Sequence, residues 1–107
     1  VGDTPKVHLG AARVELHLPG IRSLKGKRAL VQPIVAAWRD QLGASVAEVG
    51  FQDSWQRACL GVSVAASSPT NVDRVLERVR PLAERDPRVV VTSLVLIVDT
   101  LTEDDGG

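Results

Sequence analysis

Two stretches in the middle of the chain, Ser45-Val-Ala-Glu-Val-Gly50 and Arg57-Ala-Cys-Leu-Gly-Val-Ser-Val-Ala65, decide the fold. Both read as strands. The second alternates Leu60, Val62 and Val64 with Cys59, Gly61 and Ser63, the period of a strand with one buried and one wetter face. Only Phe51-Gln-Asp-Ser-Trp-Gln56 separates the two, so they follow one another with no helix between. Gly50 and the polar run Gln52-Asp53-Ser54 suit the turn that joins them.

Each flank adds a helix and then a strand. On the N-terminal side Val31, Ile34, Val35, Trp38 and Leu42 recur at helical spacing, with Ser23 available as N-cap and Gly43 as stop. Gly26 weakens the first turn and Pro33 removes a backbone donor, so the regular helix either begins after Lys25 or bends near Pro33. Before it, Arg13-Val-Glu-Leu-His-Leu18 alternates with period two and ends at Pro19-Gly20. On the C-terminal side Ser68-Pro69 offers a cap and a first-turn proline, with Thr70 to Asp73 as an alternative capping box. Val72, Val75, Leu76, Val79 and Leu82 form its apolar face, Pro81 and Pro87 limit it, and β-branched Arg88 to Val98 is the last strand.

The order strand, helix, strand, strand, helix, strand predicts an α+β, ferredoxin-like βαββαβ sandwich. Its four-stranded antiparallel sheet carries both helices on one face. Residues 10–99 form a single domain, 1–9 a flexible N-terminal segment and 100–107 an acidic, disordered tail. A chain of 107 residues with 44% apolar side chains suits one domain, its core built from aliphatics.

The single cysteine excludes an internal disulfide framework and a multi-cysteine zinc site. No apolar run approaches the ~20 residues that span a bilayer, and no signal segment opens the chain. The expectation is a cytoplasmic protein without membrane, metal or cofactor. Net charge is zero, but it is segregated: Gly20 to Arg28 carries Arg22, Lys25, Lys27 and Arg28 without an acid, and Asp99 to Gly107 carries four acids without a base.

The four cations lie between the first strand and the first helix, where free amides and the helix dipole already favour an anion. Together with Ser23 they read as a phosphate-binding turn, RNA backbone being the natural partner, or as a solvated basic loop. No Gly-x-x-x-x-Gly-Lys-Ser/Thr motif supports nucleotide hydrolysis. The connection Gln52, Asp53, Trp55, Gln56, Arg57 has two readings as well. As a lock, Trp55 covers aliphatic core and Asp53 pairs with Arg57. As a binding surface, Phe51 and Trp55 stack while Gln52, Gln56 and Arg57 read polar groups.

The sheet face away from the helices would display Arg13, Glu15 and His17 from the first strand and Cys59, Gly61 and Ser63 from the third. That face, or an edge strand, is a candidate surface for a homo-oligomer or another protein partner. Nothing local would lower the pKa of Cys59, and His8, His17 and Cys59 show no metal-ligand spacing. A hydrolase of a small phosphorylated molecule is a weaker alternative: Arg22 imitates a phosphate loop, but the only asparagine, Asn71, lies at the second helix.

Taken together, Arg13 to Arg28 and Ser45 to Ala58 resemble the YlxP-like family of small bacterial proteins, and the similarity extends over roughly residues 10–98. The resemblance implies a ferredoxin-like fold. It implies little about activity, since the family has no known function, although its members are often encoded near translation and ribosome-maturation factors. Pro33 and Phe51 depart from the family pattern. The resulting expectation is an accessory protein that touches ribosomal RNA or a ribosomal protein through the basic turn, with no catalytic residues.

Overall fold

A computed structural model describes residues 5–102. Six elements follow in the expected order: β1 (Val7–His17), α1 (Leu24–Leu42), β2 (Ser45–Gly50), β3 (Arg57–Ala66), α2 (Pro69–Ala83) and β4 (Val90–Leu101). The strands form one antiparallel sheet in the order β2-β3-β1-β4. The fold is the ferredoxin-like sandwich, and β2 and β4 are its edges.

Alternation along β1 and β3 sends Val14, Leu16, Leu60 and Val62 beneath the helices, where each is at most 2% exposed. Burying such aliphatic side chains contributes about 1.5–3 kcal/mol each. Trp38 of α1 is fully buried, and its indole N–H donates to the Val79 carbonyl of α2 at 3.0 Å. That bond joins the two helices and satisfies a polar group that would be expensive to bury unpaired.

The helix ends follow their caps. Ser23 Oγ accepts from Gly26 N at 2.9 Å, and Gly43, at φ 62°, closes α1 in the left-handed region. In α2 it is Ser68, not the Thr70 box, that caps, accepting from Asn71 N at 3.2 Å. The prolines interrupt less than expected. α1 starts at Leu24 and is continuous through Pro33, and α2 continues two residues past Pro81.

β1 begins at Val7, six residues before the alternating stretch. Gly10-Ala11-Ala12 hides the pattern because its side chains are too small to register as apolar or polar. Gly10 is required by packing: a Cβ there would sit 2.6 Å from Val72 Cγ1 of α2. β4 likewise runs on to Leu101, which pairs with Val7, and His8 Nδ1 lies 3.0 Å from Thr100 Oγ1. Both strands therefore extend into stretches expected to be terminal segment and tail. The remainder of those two expectations, residues 1–4 and 103–107, lies outside the described residues.

Candidate nucleic-acid interface

The turn after β1 and the hairpin loop after β2 meet at one end of the sheet. Leu18 N donates to Gln56 O at 2.8 Å, and Gln56 Nε2 returns a bond to Ile21 O at 3.2 Å. The two stretches singled out in the sequence are thus one surface. Arg22 and Trp55 each stand one residue from this bonded pair.

Within the basic turn the cations divide. Arg22, Lys25 and Arg28 are exposed, as is Ser23, whose hydroxyl is taken up by the cap. Lys27 is a correction to the expected cluster, being only 3% exposed. Its Nζ donates to the Phe51 carbonyl at 2.7 Å and pairs with Glu48 at 3.1 Å. A lysine one turn into α1 points toward the sheet, where its long stem can bury and its ammonium can reach the hairpin. Three cations, not four, face solvent there.

The hairpin loop is organised by Phe51, which adopts φ 57°, a conformation uncommon for residues other than glycine. Its carbonyl accepts from Ser54 N at 3.0 Å as well as from Lys27, and its ring lies under the Arg57 guanidinium, 3.7 Å from centroid to Cζ. Arg57 therefore makes a cation–π contact, and the expected Asp53–Arg57 ion pair is not formed. Gln52 Nε2 donates to Glu48 O at 3.1 Å. Trp55 does not cover the core: it is 51% exposed. The interior indole lock expected of Trp55 is supplied by Trp38.

Beside the turn, a cleft of about 620 Å³ runs between α1 and β2. Arg28, Gln32 and Arg39 line its sides over an apolar floor that includes Val31, Val35 and Leu60. Arg39 is partly engaged, donating to Val46 O at 3.1 Å. The cleft continues the cationic surface along α1.

The face away from the helices carries Arg13, Glu15, His17 and Ser63 at the surface or half-buried. Cys59, on the same face, is a small buried side chain, only 5% exposed. Its backbone pairs on one side with Glu15 and on the other with Gly50, whose chain runs so close that a Cβ would lie 3.3 Å from Cys59 Cβ. Burial raises its pKa, as does the neighbouring Glu15, against a smaller opposing effect of Arg13. The thiol stays protonated at neutral pH, which is the wrong state for a nucleophile. Among the described residues no group of three or more His, Cys, Asp or Glu could hold a metal ion, and no helix is long and apolar enough to cross a membrane.

Burial of Lys27 and the link from Gln56 to Ile21 were not legible in the sequence, since each depends on how distant segments meet. The closest available signal was Glu48, an acid three residues before a glycine-bounded turn.

The chain is similar to several known proteins. A Bacillus subtilis protein described as uncharacterized protein YlxP is 31% identical over 81 residues, which cover 76% of this chain and 88% of that protein. A hydantoinase/carbamoylase family amidase from Burkholderia ambifaria superposes with a TM-score of 0.61 at 12% identity, covering 92% of this chain but only 28% of the amidase. A de novo designed protein, Foldit4, gives a TM-score of 0.48 at 14% identity over 91% of this chain and 98% of the design. The family model for DUF503, a protein of unknown function, matches residues 9–95. The chain belongs to that family.

Proposed function

We propose that this protein is an RNA-binding accessory protein, a binder and not an enzyme, and that it takes single-stranded ribosomal RNA at the end of the sheet built by the basic turn and the hairpin loop. The observation that carries this reading is the exposed Trp55 on a loop that the Gln56–Ile21 bond ties to the turn bearing exposed Arg22, Lys25 and Arg28. Cations at a helix N-terminus neutralise phosphate, and an exposed indole offers a stacking face to an unpaired base. Arg57, stacked on Phe51, presents a planar cation on the same loop.

The test is co-sedimentation with ribosomal particles on sucrose gradients, at low and high salt, beside the Arg22→Glu/Lys25→Glu/Arg28→Glu variant. The reading expects association at low salt that high salt and charge reversal both abolish. Association unchanged by charge reversal, or none with particles or free ribosomal RNA, overturns it.

A further inference from the structure

The cleft between α1 and β2 has the size of a ligand site and carries both signs of charge. Its volume of about 620 Å³ falls within the ~300–1,000 Å³ of pockets that hold a small ligand. Both walls are apolar, Val31 and Val35 from α1 and Val46 and Leu60 from the sheet, so a flat group can lie between helix and strand. The charged groups differ from wall to wall, with Arg28 and Arg39 on the helix side and Glu48 on the strand side. Glu48 and Val46 are two residues apart on β2, roughly 7 Å, and both side chains turn beneath α1. Arg39 is anchored at the Val46 carbonyl by one Nη2 bond of 3.1 Å, which leaves its other N–H donors for a ligand. Glu48 holds Lys27 through Oε1 at 3.1 Å, which leaves Oε2 as an acceptor. Among the described residues no ion pair joins Arg39 to Glu48, so a guanidinium and a carboxylate flank one slot with bonding capacity to spare.

An anion inside the slot would meet Glu48, and a cation would meet Arg39. The group that satisfies both is neutral and flat, with donors on one edge and acceptors on the next. Guanine has that pattern: N1–H and N2–H stand side by side for a carboxylate, and O6 and N7 together suit a guanidinium. Adenine sets its N6 amino group next to N7, so an N–H would point at Arg39. We propose that the α1–β2 cleft holds one guanine base of the bound RNA, an assignment that rests on the RNA-binding reading for its ligand. Glu48 accepts from the Watson–Crick edge, and Arg39 donates to O6 and N7. Arg28 belongs both to the cleft and to the exposed cations of the turn, so the phosphate of that nucleotide stays on Arg28 while its base enters the slot. Base contacts neutralise no phosphate, so the salt dependence remains that of the three exposed cations.

Two measurements on the full chain test the assignment. Fluorescence anisotropy compares a short oligoadenylate carrying one central guanosine with the same strand carrying inosine, which lacks the N2 amino group, and with the unsubstituted strand. The guanosine strand should bind about tenfold tighter than the unsubstituted one, with inosine between them. Glu48→Gln and Arg39→Gln, each checked for folding by circular dichroism, should each bring that ratio close to one. Methyl NMR then follows Val31, Val35 and Leu60 during titration with guanosine monophosphate or adenosine monophosphate, which differ only in the base. Guanosine monophosphate should shift these methyls and adenosine monophosphate should not. Equal binding of all three strands, or a preference that survives both substitutions, overturns the base assignment and leaves the RNA reading standing. If no strand binds, the RNA reading fails by itself. Selective methyl shifts with guanosine monophosphate then keep the cleft as a guanine site for a free nucleotide, and their absence overturns it too.

Discussion

Lys27 Nζ lies 2.7 Å from the carbonyl oxygen of Phe51, so the central cation of the basic turn closes the hairpin loop instead of facing solvent. The same carbonyl accepts from Ser54 N, and Phe51 holds its ring under Arg57. One buried lysine thereby ties α1 to the loop that carries Trp55. Lys27 is thus structural and its exposed neighbours are the proposed binding residues, a division that can be measured.

Lys27→Ala removes a charged hydrogen bond and a packed stem together, and a loss of about 2 kcal/mol in urea unfolding is expected. Lys27→Met, which keeps the stem, loses less. Arg28→Ala, one residue on and exposed, changes stability by no more than about 0.5 kcal/mol. Equal losses at the two positions contradict the division.

Gly10→Val places a branched side chain where even a Cβ would approach Val72 Cγ1 to 2.6 Å. Overpacking of this kind destabilises by about 1–3 kcal/mol. The measurement is the midpoint of denaturant unfolding with the slope unchanged, and Ala11→Val, on the outward side, serves as the control. A neutral Gly10→Val would mean that α2 can move off β1 freely.

The two tryptophans report different environments. In Trp38→Phe, emission comes from Trp55 alone, is red-shifted and is strongly quenched by iodide. In Trp55→Phe, the buried Trp38 gives blue-shifted emission that iodide hardly touches. Single-stranded RNA should protect the Trp38→Phe variant from quenching and leave the Trp55→Phe variant unaffected. Strong quenching of Trp38 would contradict the hydrogen-bonded interior indole.

Asp86 accepts two hydrogen bonds from the Arg88 side chain, at 3.1 and 2.7 Å, and one from its backbone N–H at 3.0 Å. Side-chain bonding to Arg88 is the main reason its pKa falls to about 2. A carboxylate depressed in the folded state stabilises above its unfolded pKa, and that contribution disappears as pH falls from about 4 to about 2. Arg88→Ala should raise the Asp86 titration midpoint toward the ordinary range in a carbon-13 NMR titration, with the backbone N–H of residue 88 still holding it partly down. An unchanged titration midpoint would show that the guanidinium contributes little.

Much of the fold was legible because alternation in β3 and in the second half of β1, together with two capped amphipathic helices, allowed one order of elements. The early part of β1 was not, because Gly10-Ala11-Ala12 carries no amphipathic signal and its strand character comes from pairing with β3 and β4. The site was legible in part. Charge density marked Arg22, Lys25 and Arg28, and the same criterion included Lys27, since charge alone does not tell which side of a helix turns toward an acid twenty-one residues away. Helical spacing placed Trp38 on the buried face of α1, whereas nothing in the hairpin sequence decided whether Trp55 would cover the core or face solvent.

The most direct measurement is a fluorescence-anisotropy titration of a labelled single-stranded ribosomal RNA fragment over a series of salt concentrations. For the wild type, log K should fall with log salt at a slope of about −2, as three neutralised phosphates require. Trp55→Ala should weaken binding about tenfold with the slope retained, and the Arg22→Glu/Lys25→Glu/Arg28→Glu variant should lose both affinity and slope. Affinity unaffected by either variant, or no binding at low salt, would contradict the assignment of this surface to RNA.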